Sequence, residues 1–210
     1  MKRNKELFEN IYQSKIKRSG ADELLRWIEC SDFFTAPASA KHHLNQESGL
    51  CEHSLNVYRR LRQFLQSEYE GAECQYSEET IAVVALLHDL CKTYHFKAGW
   101  KNQKTYDPDK VSSANSREIK HDAAGDFIWE TVPIYEIDEK FIYGHGEKSV
   151  FLIMQHMRLT EVEAQAIRFH MGAFNHDEAR NYGDACAVNP LVFFLHMADG
   201  AATFLDESKV

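Results

Sequence analysis

IAVVALLHDLCK, residues 81–92, is the stretch whose reading decides the fold. Ser77 ahead of it is a good helix N-cap, and the acids Glu78 and Glu79 fall in the first turn, where the helix dipole favours negative charge. From Ile81 to Leu87 the helix is apolar nearly all round, which places it at the centre of a core. It then ends in His88, Asp89 and Lys92. Adjacent residues on a helix point about 100° apart, so His88 and Asp89 cannot share one narrow face. They can flank one ion at the bottom of a pocket built by other helices. Buried, such a pair is costly unless it is paired or metal-bound.

Working outward, 210 residues make one domain, or one domain with an extension, with room for a sizeable core. Apolar residues at 44% and charged residues at 27% are ordinary globular values. Upstream, Leu7, Phe8, Ile11, Tyr12 and Ile16 fall at helical spacing, and Gly20 breaks that helix. Asp22 is placed to cap a second short helix, ELLRWIEC. Residues 1–32 therefore read as a helical cap on a main domain over 33–210. SDFFTAPASAKHH reads as a loop or short helical turns carrying His42 and His43. The helix that follows has Leu50, Leu55, Val57, Leu61, Phe64 and Leu65 on its apolar side, with His53 beside that face near its start and Gly71 closing it.

Downstream, residues 93–145 lack helical patterning. Gly99, Asn102, Pro108 and the run SSANS predict a long, mostly irregular insertion. It is expected to end in a strand or small β-hairpin near Phe127 to Tyr143, with Pro133 at an edge or bulge. Helical pattern returns at about residue 146, and Thr160 with Glu163 forms a capping-box pattern for a helix that Gly172 can end. AFNHDEARNYGDACAVN reads as a loop, and PLVFFLHMADGAATFLD as a last apolar helix with Pro190 in its first turn. The expected class is all-α, a helical bundle with one irregular insertion.

The net charge of −8 argues against a protein that coats long nucleic acid, which relies on many Lys/Arg–phosphate contacts. A small phosphorylated ligand held by a few cations and metal ions is compatible with it. Five scattered cysteines without a CxxC suit reduced thiols in the cytoplasm. No run of about 18 apolar residues suggests a membrane span, so the expected location is cytoplasmic.

Of 11 histidines, His53, His88, His145, His170 and His196 sit at helix ends or within apolar runs, as do Asp89 and Asp199. Asp199 is the clearest anomaly, a carboxylate inside FFLHMADGAATF. Left uncompensated in a core it would cost several kcal/mol. A capped or water-bonded aspartate beside a kink at Gly200 is the plain alternative.

The order H…HD…D, read here as His53, His88–Asp89 and Asp199, resembles the ligand signature of the HD-domain metal-dependent phosphohydrolases. The flanking words SGLCEHS, LLHDLCK and LHMAD resemble that superfamily too. FFTAPASAKHH is similar to the segment leading into the HD domain of a bacterial 3′–5′ exoribonuclease family, whose upstream OB-type domain is missing here. YEIDEKFIYGHGEKSV and AIRFHMG resemble small stand-alone HD hydrolases of bacteria and their phages. The resemblance covers roughly residues 33–206.

The resemblance implies an HD-domain bundle and one ion held by His53, His88, Asp89 and Asp199. Those nitrogen and oxygen ligands suit Mn, Fe, Zn, Ni or Co. It also implies a second ion held by His145 and His170, with Asp89 bridging the pair, an arrangement suited to phosphoester hydrolysis. The implied activity is hydrolysis of a phosphomonoester or phosphodiester, with a nucleotide or short oligonucleotide as substrate. A single-strand 3′–5′ nuclease and a non-catalytic metal- or nucleotide-binding module are the alternatives.

Lys92, at i+4 from His88, is either a contact to substrate phosphate or a solvated lysine favoured by the helix dipole. His145 and His170 have the alternative of being loop histidines, and His196 reads as a partner that orients the ligands. His42 and His43 are candidates for the substrate entrance, Glu52 for a bond to a ligand histidine, and Lys148 and Arg168 for weaker phosphate contacts. Trp129 and Tyr143 either stack a base or make a satellite core. The acidic composition carries an expectation of its own. In a salt titration of binding to a short oligonucleotide the affinity should respond weakly, whereas a steep fall would mark an extended nucleic-acid track.

Overall fold

The computed structural model describes residues 2–173 and 176–208, and the fold is mostly but not purely helical. Helices α1 (Lys2–Lys15) and α2 (Ala21–Cys30) pack on the body through Phe8, Tyr12, Leu24 and Ile28, all fully or almost fully buried. The Phe8 ring lies 5.0 Å from that of Phe33. Residues 2–32 thus share the main core. Gly20, not Asp22, caps α2, because its φ of +87° makes the turn that a side chain would resist.

Helix α3 (Gly49–Glu68) and helix α4 (Glu78–Leu87) form the centre. Ser77 caps α4 as expected, its hydroxyl accepting from Thr80 N at 3.0 Å. Every residue from Ile81 to Leu87 is buried. After the insertion come α6 (His145–Met154), α7 (Glu161–Arg168), α8 (His176–Val188) and α9 (Leu191–Ala201), with α7 packed on α4, α6 on α7, α9 on α3 and α7, and α8 on α9. Between α4 and α6 lies a short helix, α5 (Pro108–Ser113). Residues 174 and 175 lie outside the described residues, and most of the segment expected to be a loop, residues 176–188, is α8. Its sequence holds Asn181, Gly183 and Asp184, poor helix formers, and it buries Ala185 while leaving Val188 exposed. Its helical state reflects packing on α9 more than propensity.

The second departure from the expected class is a three-stranded antiparallel sheet inside the insertion, of order β1-β3-β2. Strands β1 (Phe96–Thr105) and β3 (Gly125–Ile137) pair over ten residues, from Phe96 opposite Ile137 to Thr105 opposite Ile128. β2 (Lys120–Asp122) pairs only with Gly125 to Phe127. So the insertion is ordered as a sheet and one short helix, and the class is mixed. β1, FKAGWKNQKT, has one β-branched residue and little burial, which is why no alternation announced it. Pro133 stands opposite Trp100 where β2 no longer flanks β3. That open edge needs no N–H there.

Among the described residues no single helix is long and apolar enough to cross a membrane. One pair, 179–188 with 191–206, reaches that length only across a 116° bend.

An ion pair closes the fold. Arg18, between α1 and α2, bonds the fully buried Glu163 through Nη1 (2.5 Å) and Nη2 (2.7 Å), and Glu163 also completes the capping box with Thr160. Burial pushes the Glu163 carboxyl up, but the bonds from Arg18 and the Thr160 N–H outweigh it and hold the carboxyl below its ordinary range. Its stabilisation is therefore present above the unfolded carboxylate pKa of about 4.3 and is lost as pH falls through the lower folded value. Arg18→Ala strands a buried charge and is expected to cost about 3 kcal/mol in urea unfolding at pH 7. The difference from wild type should shrink below about pH 4.

Candidate metal centre

Three histidines reach one space from separate elements. His53 comes from α3, His88 from the end of α4, and His170 from the turn after α7. All three are buried. His88 Nδ1 donates to Ala85 O at 2.9 Å, and His170 Nδ1 donates to Ile167 O at 2.7 Å. A carbonyl oxygen only accepts, so each Nδ1 carries a proton and each ring turns its Nε2 inward. His53 Nδ1 donates to both oxygens of the Glu207 carboxylate, at 3.0 and 3.1 Å. The His53 and His88 Nε2 atoms stand 3.3 Å apart. His170 Nε2 is buried without a hydrogen-bond partner, although Asp89 Oδ1 is 3.4 Å away.

Asp89 lies between these rings. Its Oδ2 faces His53 Nε2 (3.4 Å), His88 Nε2 (3.5 Å) and Lys92 Nζ (2.6 Å). Its Oδ1 faces His145 Nε2 (2.9 Å) and His170 Nε2. Asp199 Oδ1 is 3.2 Å from His53 Nε2. The six residues singled out in the sequence as metal candidates (His53, His88, Asp89, His145, His170 and Asp199) therefore meet at one place, with Lys92 beside them. Three overlapping sets, His53–His88–Asp89, His88–His170–Asp199 and Asp89–His145–His170, each offer ligand atoms within 4.8 Å of one another.

Local backbone explains how neighbours in sequence face one site. α4 ends at Leu87, and Asp89 takes φ −102° and ψ 20° to enter a 3₁₀ turn over Leu90–Lys92. Leaving the helix removes the 100° divergence that would separate His88 from Asp89. Cys91 N donates to Ser149 Oγ at 3.0 Å and ties this turn to α6. A Cβ at Gly146 would lie 2.2 Å from Arg168 O, so glycine lets the first turn of α6 touch the end of α7. That contact sets the His145 ring 5.5 Å from the His170 ring. His196 Nδ1 donates to His170 O at 2.7 Å and fixes the backbone of that turn.

The cluster carries more negative than positive charge, which suits a cation. Burial pulls His53 down, but Asp199 and Glu207 outweigh it and push the ring up to about 9. Burial pushes His88 down to about 4. Burial would raise Asp89, yet Lys92 and His88 hold it well below the usual carboxylate range. Three inward carboxylates, Asp89, Asp199 and Glu207, thus face only two cationic groups, Lys92 and a doubly protonated His53. A divalent ion in place of the second His53 proton would supply one more positive charge and offset the remaining negative one. Imidazole nitrogens with carboxylate oxygens form a donor set that fits such an ion, with proton and ion competing for it.

Other sequence candidates lie elsewhere. Lys148 is paired with Glu139 at 2.7 Å and Arg168 with Glu147 at 2.5 Å. Glu52 lines a surface groove with Asn4, Leu7 and Arg59, and the bond it was expected to give His53 comes from Glu207. His42 is exposed, while the His43 ring centroid is 5.2 Å from that of His53. Trp129 packs edge-on to Phe127, and Tyr143 stacks on Phe141, so both join small satellite clusters. Glu207 was missed because its position depends on a π-helical turn, Ala202–Asp206, closed by Glu207 N to Ala202 O at 3.1 Å. No sequence pattern announces that extra residue per turn.

Comparison of the chain with protein-family models, with curated proteins and with solved structures finds no match in any of the three.

Partners that orient a ligand histidine typically govern metal affinity by 10–100-fold. Glu207→Ala is therefore expected to weaken Mn²⁺ or Co²⁺ binding by about that factor in chelator competition, with His42→Ala unchanged. Equal affinity in the Glu207 variant would dissociate Glu207 from the site.

Proposed function

We propose that the chain is an HD-type metal-dependent phosphohydrolase that cleaves a phosphomonoester or phosphodiester of a nucleotide or short oligonucleotide. The observation that carries the reading is Asp89, one buried carboxylate whose two oxygens face two different sets of imidazoles. In this reading His53, His88, Asp89 and Asp199 hold one divalent ion. His145 and His170 hold a second, with Asp89 shared between the two. A bound Mn, Fe, Zn, Ni or Co ion supplies the Lewis acidity that activates water and neutralises phosphoryl oxygens.

The chain's own groups do the rest. Glu207 keeps the proton on His53 Nδ1, so that Nε2 is the atom presented to the ion. The Ala85 and Ile167 carbonyls do the same for His88 and His170. His196 holds the turn that carries His170, so the ring keeps its aim. Lys92, 14% exposed and hydrogen-bonded to Asp89, carries a full positive charge at the rim and contacts a phosphoryl oxygen of the substrate. Buried apolar residues Leu86, Leu87 and Leu90 keep water from the back of the site, where electrostatic attraction is strongest.

Protein loaded with Mn, Fe or Co should hydrolyse p-nitrophenyl phosphate, its bis-ester or a nucleotide in a panel, and chelation should abolish the activity. His88→Ala is expected to lose bound metal and activity together. Lys92→Met should keep its metal while kcat/KM falls by about 100-fold, the scale of losing one positioned donor to developing charge. A metal-loaded protein inert toward the whole panel would leave a non-catalytic metal- or nucleotide-binding module in its place.

A further inference from the structure

Beside the metal centre, the loop after α2 and the π-helical turn after α9 enclose a cleft of about 610 Å³. This lies within the range of small-molecule sites, roughly 300–1,000 Å³. Glu207, the residue that holds His53, forms part of its lining, so the cleft begins one side chain away from the cluster. His43 lines it too. Its Nε2 is buried without a hydrogen-bond partner and stands 3.9 Å from Glu207 Oε2, too far for a bond.

The loop that presents His43 is held in a conformation its residues do not prefer. Leu44 has φ +45° and Ser48 has φ +67°, both left-handed and neither glycine. Ser39 Oγ accepts from His42 N at 2.9 Å and donates to His43 O at 2.8 Å, while Ala38 N donates to Leu44 O at 3.1 Å. Such strain persists where surrounding bonds over-determine it, and it concentrates at ligand clamps.

The lining has a definite chemistry. Phe204 is 74% exposed, which leaves an aromatic face open to a planar partner. Asn45 and Gln46 bring side-chain amides, each both donor and acceptor. Among the described lining residues there is no lysine or arginine to hold a second phosphate. An open aromatic ring and two neighbouring amides fit a nucleoside. Bases stack on aromatic rings, and amides match the polar edges of bases.

We propose that this cleft binds the nucleoside part of the substrate, with Phe204 stacking the base and Asn45 and Gln46 bonding its edge. The proposal rests on the phosphohydrolase reading and assigns the residues that recognise the nucleoside of its substrate.

The test measures binding to Mn²⁺-loaded protein by calorimetry, using the four nucleoside 5′-monophosphates, ribose 5-phosphate and inorganic phosphate as probes. At least one nucleotide should bind tenfold or more tightly than ribose 5-phosphate, and Phe204→Ala should remove about tenfold of that affinity, as expected for one lost stacking contact. Asn45→Ala should reduce the preference among bases. Both positions are exposed, so the variants should fold, and their metal content and ribose 5-phosphate affinity should match wild type. Nucleotides binding no better than ribose 5-phosphate, or equally well to the Phe204 variant, would overturn the cleft while leaving the phosphohydrolase reading intact. Failure of every phosphate probe to bind metal-loaded protein would remove both.

Discussion

Burying the Asp89 carboxylate is the constraint around which the other parts are arranged. At 2% exposure it cannot rely on water, and a carboxylate in such a place is tolerated only with opposite charge and hydrogen bonds around it. Lys92 supplies one charge, His145 bonds one oxygen, and His53, His88 and His170 crowd the remainder. The surrounding helices supply these groups from four directions. α4 carries the doublet on its end, α3 brings His53, α6 begins at His145, and the turn after α7 delivers His170. Removing any one of these elements would leave the carboxylate without part of its compensation.

Scaffold and chemistry are linked at three small contacts. The 3₁₀ turn after α4 lets His88 and Asp89 face the same space. Gly146 allows α6 to meet the end of α7, and His196 anchors the backbone of His170. Gly146 and His196 touch no reacting group in the proposed chemistry, yet each sets the aim of a ring that does. The tautomer lock works by the same logic: carbonyls of Ala85 and Ile167 and the carboxylate of Glu207 fix the Nδ1 protons, and that choice determines which nitrogens face the centre.

Much of this was legible in the sequence, for identifiable reasons. α4 announced itself because seven consecutive apolar residues between a serine cap and a charged doublet admit few other readings. Asp199 stood out because a carboxylate within FFLHMADGAATF has no cheap explanation in a core. Glu207 did not, since its arrival beside His53 depends on a π turn that leaves no trace in residue spacing. The sheet in the insertion was also hidden. β1 is exposed on both faces and rich in lysine, so its pairing with β3 produces no alternation to read, and only the β-branched run near Ile128 to Ile134 hinted at a strand. α8 was misread as loop because its glycine, asparagine and aspartate are weak helix formers, held in place by α9.

The central claim is that the buried cluster is a metal site whose shared ligand is Asp89. The most direct measurement is an anomalous difference map from crystals of Mn²⁺-loaded protein, collected at an energy where manganese scatters strongly. The expected result is a peak enclosed by His53, His88, Asp89 and Asp199, with any second peak between Asp89, His145 and His170. A map with no anomalous density inside the cluster, with Lys92 still bonded to Asp89 at saturating metal, would contradict it.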